Sequence, residues 1–221
     1  MTGPDPGASF APVDLIMVAH NGLRRDLTDI DAAALRSARK DGETADVLKR
    51  LEFFTAMLSW HAQGEDGGIF PALERVAPDV SASYEIDHRG LDLASEGLDR
   101  AVDAGDDVGI ARATAAFKFH LDMHLHKEEV HLYRLFVDRL TVPEQGEAVG
   151  VFTDALPRDR FADFVGWLFP LVELEDRARV VRVWQVAMPP PVFAGTMGLL
   201  QRVLGDDYSS LAEIVPELTP P

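Results

Sequence analysis

The sequence predicts an all-α fold: an up-down-up-down four-helix bundle followed by a C-terminal helical extension. Three observations predict it. Four long segments carry apolar residues at helical period, no segment shows the alternation of a strand, and short turn signals at Asp41-Gly42, Ala77-Pro78-Asp79 and Ala104-Gly105-Asp106 separate the four. Residues 1–11 read as a disordered, Gly/Pro/Asp-rich start, 12–140 as the bundle, and 141–221 as the extension with its Pro-rich tail.

Each segment supports its place in turn. In the first, Val13, Ile16, Met17, His20, Leu23, Leu27 and Ile30 fall on one face. In the second, at 43–66, Leu51, Phe54, Leu58, His61 and Glu65 group together, and Gly67-Gly68 with Pro71 is expected to break or bend the helix. The third, at 80–103, groups Tyr84, His88, Leu91, Ser95, Leu98 and Val102. The fourth, at 107–140, sets Phe117, Leu121 and Leu135 beside His120, His124, Glu128 and His131, which share one arc, while His126 and Glu129 point to solvent. Beyond Thr141-Val142-Pro143 come shorter helical pieces with bulky side chains, among them Phe161, Phe164, Trp167 and Phe169.

Composition narrows the chemistry. With 221 residues and 47% hydrophobic content the chain can bury a core. Its 37 acidic against 21 basic residues give a net charge of -16, which opposes binding to nucleic acid and to anionic lipid. No run approaches the roughly 20 apolar residues of a membrane span, and no basic patch with an apolar run marks a leader, so a cytoplasmic protein is expected. Cysteine is absent, which excludes disulfides, iron-sulfur clusters, thiolate zinc and cysteine nucleophiles. Any metal must be held by nitrogen and oxygen.

The histidines supply such donors. All seven lie between His20 and His131, and each of the four amphipathic segments carries one on its apolar stripe. Antiparallel helices joined by short turns bring together residues equally far from the turn. His20 stands 22 residues before Gly42 and His61 19 after it; His88 stands 17 before Gly105 and His124 19 after. Across Pro78 the match is poorer, an excess that non-helical chain between Gly67 and Pro78 would absorb. His61-x-x-x-Glu65 and His124-x-x-x-Glu128 each put an imidazole and a carboxylate one turn apart, so the imidazole can bind one metal while the carboxylate bridges to a second. Four imidazoles and two carboxylates suit iron or manganese and can hold zinc.

Ile16-Met-Val-Ala-His20, His61-Ala-Gln-Gly-Glu65, Asp87-His88-Arg89 and His124-Leu-His-Lys-Glu128-Glu129 together resemble a hemerythrin-like, or HHE cation-binding, domain over about 12–140. The resemblance implies a non-haem di-iron centre with His20, His61, His88 and His124 as terminal ligands and Glu65 and Glu128 as bridges. The chain departs from oxygen carriers, which place two histidines four apart on the third helix where this chain has Tyr84 and His88, and His and Asp five apart on the fourth where it has His124 and Glu128. Tyr84 is a candidate to approach a metal or to donate a hydrogen bond to a bound oxygen species, His120 and His131 are candidates for a substitute ligand or for a group that supports a ligand from outside, and Asp92 is a candidate to orient a ligand imidazole.

The pattern is similar to bacterial hemerythrin-like proteins that handle hydrogen peroxide, nitric oxide or iron. It implies binding of a small species such as hydrogen peroxide, dioxygen or nitric oxide, with catalase-like peroxide turnover and a role in oxidative stress. A non-catalytic iron, oxygen or nitric oxide sensor and a di-iron oxygenase acting on an organic substrate are the alternatives.

Overall fold

The computed structural model describes residues 11–215 and Leu218; the expected disordered start and Pro-rich tail otherwise lie outside the described residues. The fold is all-α, with no strand among the described residues. The chain divides into two compact units, 20–158 and a second made of 159–221 with the first 19 residues.

The first unit is the four-helix bundle. Its helices are α1 (Asp14–Ala38), α2 (Thr44–Gly64) continued by α3 (Phe70–Glu74), α4 (Ala82–Asp103), and α5 (Asp107–Lys127) continued by α6 (Tyr133–Arg139). Cross-helix pairs give their order. Asp26 accepts from Arg50 at 2.7 Å (α1 with α2), Asp87 from Lys127 at 2.5 Å (α4 with α5), and Glu129 from Arg24 at 2.5 Å (the end of α5 with α1). The bundle core has an apolar part, in which Phe54 and Phe117 meet edge to face at 6.3 Å and Leu23, Leu27, Ile30, Leu121 and Phe136 are buried.

Left-handed residues close the turns. Gly105 has φ +61, and the N–H groups of Gly105 and Asp106 return to the carbonyls of Val102 and Ala101, a Schellman end to α4. At the first turn the same bonding runs from Lys40 and Asp41 to Ser37 and Arg36, so the left-handed position falls on Lys40 and not on Gly42.

Two π turns interrupt the helices, at Glu65–Ile69 and Glu128–Leu132. The first lies where a break or bend is expected, but the non-helical chain expected from Gly67 to Pro78 is shorter: the helix continues to Glu74, and only residues 75–81 separate it from α4. Pro71 has no N–H to give and its ring would crowd the carbonyl four residues back, and a widened turn absorbs both defects. Helix α7 (Val142–Asp154), the first piece of the stretch read as a helical extension that packs on the bundle or makes a subunit contact, packs on α2, on the first π turn and on α6. It begins at Thr141, whose N–H donates to the Glu144 carboxylate at 2.8 Å, with Pro143 in the first turn. Gly64 and Gly68 let its backbone approach: a Cβ on Gly64 would sit 2.7 Å from the Phe152 carbonyl oxygen, and one on Gly68 2.5 Å from that of Ala148.

The second unit holds α8 (Phe161–Leu171), α9 (Leu174–Ala187), α10 (Pro190–Leu204) and α11 (Asp207–Ile214). Trp184 is its centre, 5.6 Å from Phe161 and 5.3 Å from Phe169, among buried Val165, Leu168, Val180, Val181 and Leu200. No described helix is long and apolar enough to cross a membrane.

Candidate metal centre

Six side chains from four helices converge inside the bundle. His20 comes from α1, His61 from α2 with Glu65 at the start of the first π turn, His88 from α4, and His124 from α5 with Glu128 at the start of the second π turn. All six are buried. Their donor atoms form two groups, His20-His61-Glu65-Glu128 and Glu65-His88-His124-Glu128, each within 4.8 Å, and both carboxylates belong to both groups.

The distances fit ligands around a common ion. His20 Nε2 and His61 Nε2 are 3.1 Å apart; His61 Nε2 lies 3.3 Å from Glu65 Oε1, His88 Nε2 3.3 Å from Glu65 Oε2, and His124 Nε2 3.3 Å from Glu128 Oε1. Donors about 2.1 Å from one centre and at roughly right to tetrahedral angles stand about 3.0–3.5 Å apart. Buried polar atoms ordinarily have hydrogen-bond partners, yet Glu65 Oε2, His88 Nε2 and both oxygens of Glu128 have none. Two carboxylates sunk together without a cation would be costly, and bound metal would answer both the charge and the orphaned atoms.

The protonation balance carries the same strain. Burial and the neighbouring Glu65 push Glu128 well above the usual carboxylate range. Burial also works upward on Glu65, but the His61 charge and the close imidazole nitrogens of His20, His61 and His88 outweigh it and hold the carboxyl well below that range. The imidazoles split by helix. Burial lowers His61, and His124 to about 4, despite nearby Glu65. Burial opposes charging of His20 and His88 as well, but carboxylate contacts prevail and raise both: Glu129 and Glu65 for His20, Glu65 and Asp66 for His88.

A family model described as the hemerythrin HHE cation binding domain matches residues 11–136. The chain belongs to this family. It is also similar to three Arabidopsis thaliana proteins: zinc finger protein BRUTUS, 24% identical over 78% of this chain, and the BRUTUS-like proteins At1g74770 and At1g18910, 23% and 24% identical over 78% and 82%. The matches cover only 14–16% of those proteins, so the chain corresponds to a small part of each. With no cysteine here, a thiolate zinc finger is not what they share with it. No solved structure matches the chain.

Outside the six, this HHE domain departs from the sequence reading. Glu129, expected in solvent, is half-buried: it accepts from Arg24 and lies 3.1 Å from His20 Nδ1, and these bonds outweigh burial to hold it down to about 2. Asp92, expected to orient an imidazole, is exposed, and Asp66 does so, 3.1 Å from His88 Nδ1. Glu65-Asp66 and Glu128-Glu129 are thus matched pairs, in which one acid enters the cluster and the next steers a histidine on another helix. His120 is exposed beside Phe119, a quarter turn from the centre of the buried line through Phe117, Leu121 and Glu128. His131 is exposed because the extra residue of the second π turn rotates it outward.

The same turn rotates Tyr133 inward. Its hydroxyl donates to Glu65 Oε1 and its ring lies 5.7 Å from His20, while burial and the two carboxylates push the phenol well above its usual range. Sequence reading missed it because Tyr133, five residues after Glu128, lies off the face at 3.6 residues per turn. Tyr84 is buried, with Lys127 Nζ 4.5 Å above its ring and Phe70 beside it; burial and Glu128 raise its phenol.

Proposed function

We propose that this chain is a non-haem di-iron protein in which His20 and His61 hold one iron, His88 and His124 the other, and Glu65 and Glu128 bridge them. The observation that carries the reading is the sharing of both carboxylates by two buried donor quartets. Nitrogen and oxygen donors without thiolate admit iron, manganese or zinc, and the likeness to hemerythrins makes iron our choice, with manganese and zinc as the alternatives. A bound iron pair would supply exchange of two electrons with a small oxygen or nitrogen species, and hydrogen peroxide is the species we assign.

The chain's own residues provide the rest. Glu129 and Asp66 fix the His20 and His88 rings with Nε2 directed inward. The Tyr133 hydroxyl donates a hydrogen bond to Glu65 Oε1, which steadies the bridging carboxylate and keeps a phenol proton within reach of the centre. Buried Phe54 packs an apolar layer against Phe117 beside the cluster. The test is oxygen release from hydrogen peroxide by the iron-loaded protein, expected to be catalytic and to vanish in Glu128→Ala; stoichiometric consumption with no turnover would refute the peroxide assignment.

One observation favours a sensor as the second reading. Glu65 sits in a π turn pressed at Gly64 and Gly68 against the backbone of α7, so a shift of Glu65 on loss of metal would reach α7 directly. Protease sensitivity near 142–154 that changes with iron but not with peroxide would support that reading over turnover.

A further inference from the structure

A cavity of about 410 Å³ opens between α2, α4 and α5 and ends on three of the four histidines, His61, His88 and His124. We propose that it binds a small uncharged organic molecule bearing a hydroxyl group, seated against the His88/His124 half of the centre. The proposal rests on the metal reading for the guest's role but not for its binding.

Size is the first argument. Peroxide, dioxygen and nitric oxide are close to water in bulk, whose share of liquid volume is about 30 Å³, so the cavity is far larger than those species need. It falls within the roughly 300–1,000 Å³ of small-molecule sites. Wall chemistry is the second. Buried Leu91 and Phe117 form an apolar floor, and Thr55 and Ser95 add hydroxyls at half-buried positions. With Leu58 and Ala62, Leu91 and Phe117 make one apolar side, while hydroxyl, amide and imidazole groups line the rest, a mixture that suits the carbon frame and the hydroxyl of an alcohol or phenol.

Charge is the third. No lysine or arginine lines the cavity, and its exposed edge carries Asp66 and Asp92, so an organic anion meets carboxylates and no counter-charge on the way in. The three imidazoles at the inner end place the guest's hydroxyl, and not its carbon frame, beside the donor cluster.

Benzyl alcohol and benzenesulfonate, similar in shape and different in charge, test this on the protein as purified, by amide chemical-shift titration with metal content measured on the same sample. Benzyl alcohol is expected to bind with a dissociation constant on the order of 1 mM, shifting Ser59, Leu91 and Ser95, and benzenesulfonate at least about tenfold more weakly. Ser95→Phe, which fills the cavity, should abolish binding and leave metal per chain unchanged; Ser59→Trp at the exposed edge is the second blocking variant if Ser95→Phe fails to fold. Equal binding of the two probes, no binding, or binding that survives both variants overturns the proposal. Metal loss with benzyl alcohol still bound would instead sink the di-iron reading alone.

Discussion

The two halves of the candidate centre are built on one plan and finished differently. In each, one helix brings a His-x-x-x-Glu pair into a π turn, and the other brings a histidine whose Nδ1 faces the acid that follows the opposite half's glutamate. The α1/α2 half is held firmly: Glu129 is braced by Arg24 at 2.5 Å, Tyr133 lies against His20, and the Phe152 ring stands 5.3 Å from His61. The α4/α5 half is more open, since Asp66 is 53% exposed and both of its histidines line the cavity, which reaches only His61 of the other half. The same donor types therefore sit in two settings, one braced on both sides of His20 and one with both histidines on the cavity wall.

The largest effect expected is loss of both ions, because the bridging carboxylates serve both halves. Glu65→Ala or Glu128→Ala should reduce metal to well under one ion per chain and erase the thermal stabilisation that metal gives, on the order of 10 °C at saturation. Retention of one full ion in either variant would mean the carboxylates are not shared.

Orienting residues should show the asymmetry itself. Glu129→Gln is expected to weaken metal binding by about 10–100-fold, and Asp66→Asn by only a few-fold, since an exposed carboxylate positions its imidazole less firmly. Competitive chelator titration reads both. An Asp66 effect equal to or larger than that of Glu129 would remove the distinction between the halves.

Acid should reveal His124 in the metal-free protein. Its folded value of about 4 lies below its ordinary 6.5, so the unfolded chain binds the proton more readily between those values. The stability it contributes is complete above 6.5 and is lost as pH falls toward 4; Glu129, lowered to about 2, adds a further loss below 4.5. His20 and His88, both raised, act oppositely, contributing below 6.5 and losing that contribution as pH rises. Urea unfolding between pH 6.5 and 4 should therefore give a shallower dependence in His124→Asn than in the unsubstituted chain. An unchanged slope would contradict the burial of a neutral His124. The smallest effect belongs to His120→Ala and His126→Ala, both exposed, which should leave metal content and stability unchanged.

Much of this was legible in the sequence because helical periodicity and equal depth from a turn are local arithmetic. They sufficed to bring His20, His61, His88 and His124 together with Glu65 and Glu128, and to make the fold all-α. What escaped lay beyond the π turns. A single inserted residue moved Tyr133 in and His131 out, and no period of 3.6 registers such an insertion. Glu129 escaped for a different reason: its partner Arg24 is 105 residues away, and a charge on the flank of a helix reads as solvated until the neighbouring helix is known. The close approach of α7 rested on Gly64 and Gly68, whose nearness to a proline reads as a break.

The central claim is a pair of ions sharing two carboxylates, and metal content per chain, on protein purified without added metal, tests it most directly. The account predicts two iron ions per chain. A single ion per chain, or none after anaerobic iron loading of folded protein, would contradict it.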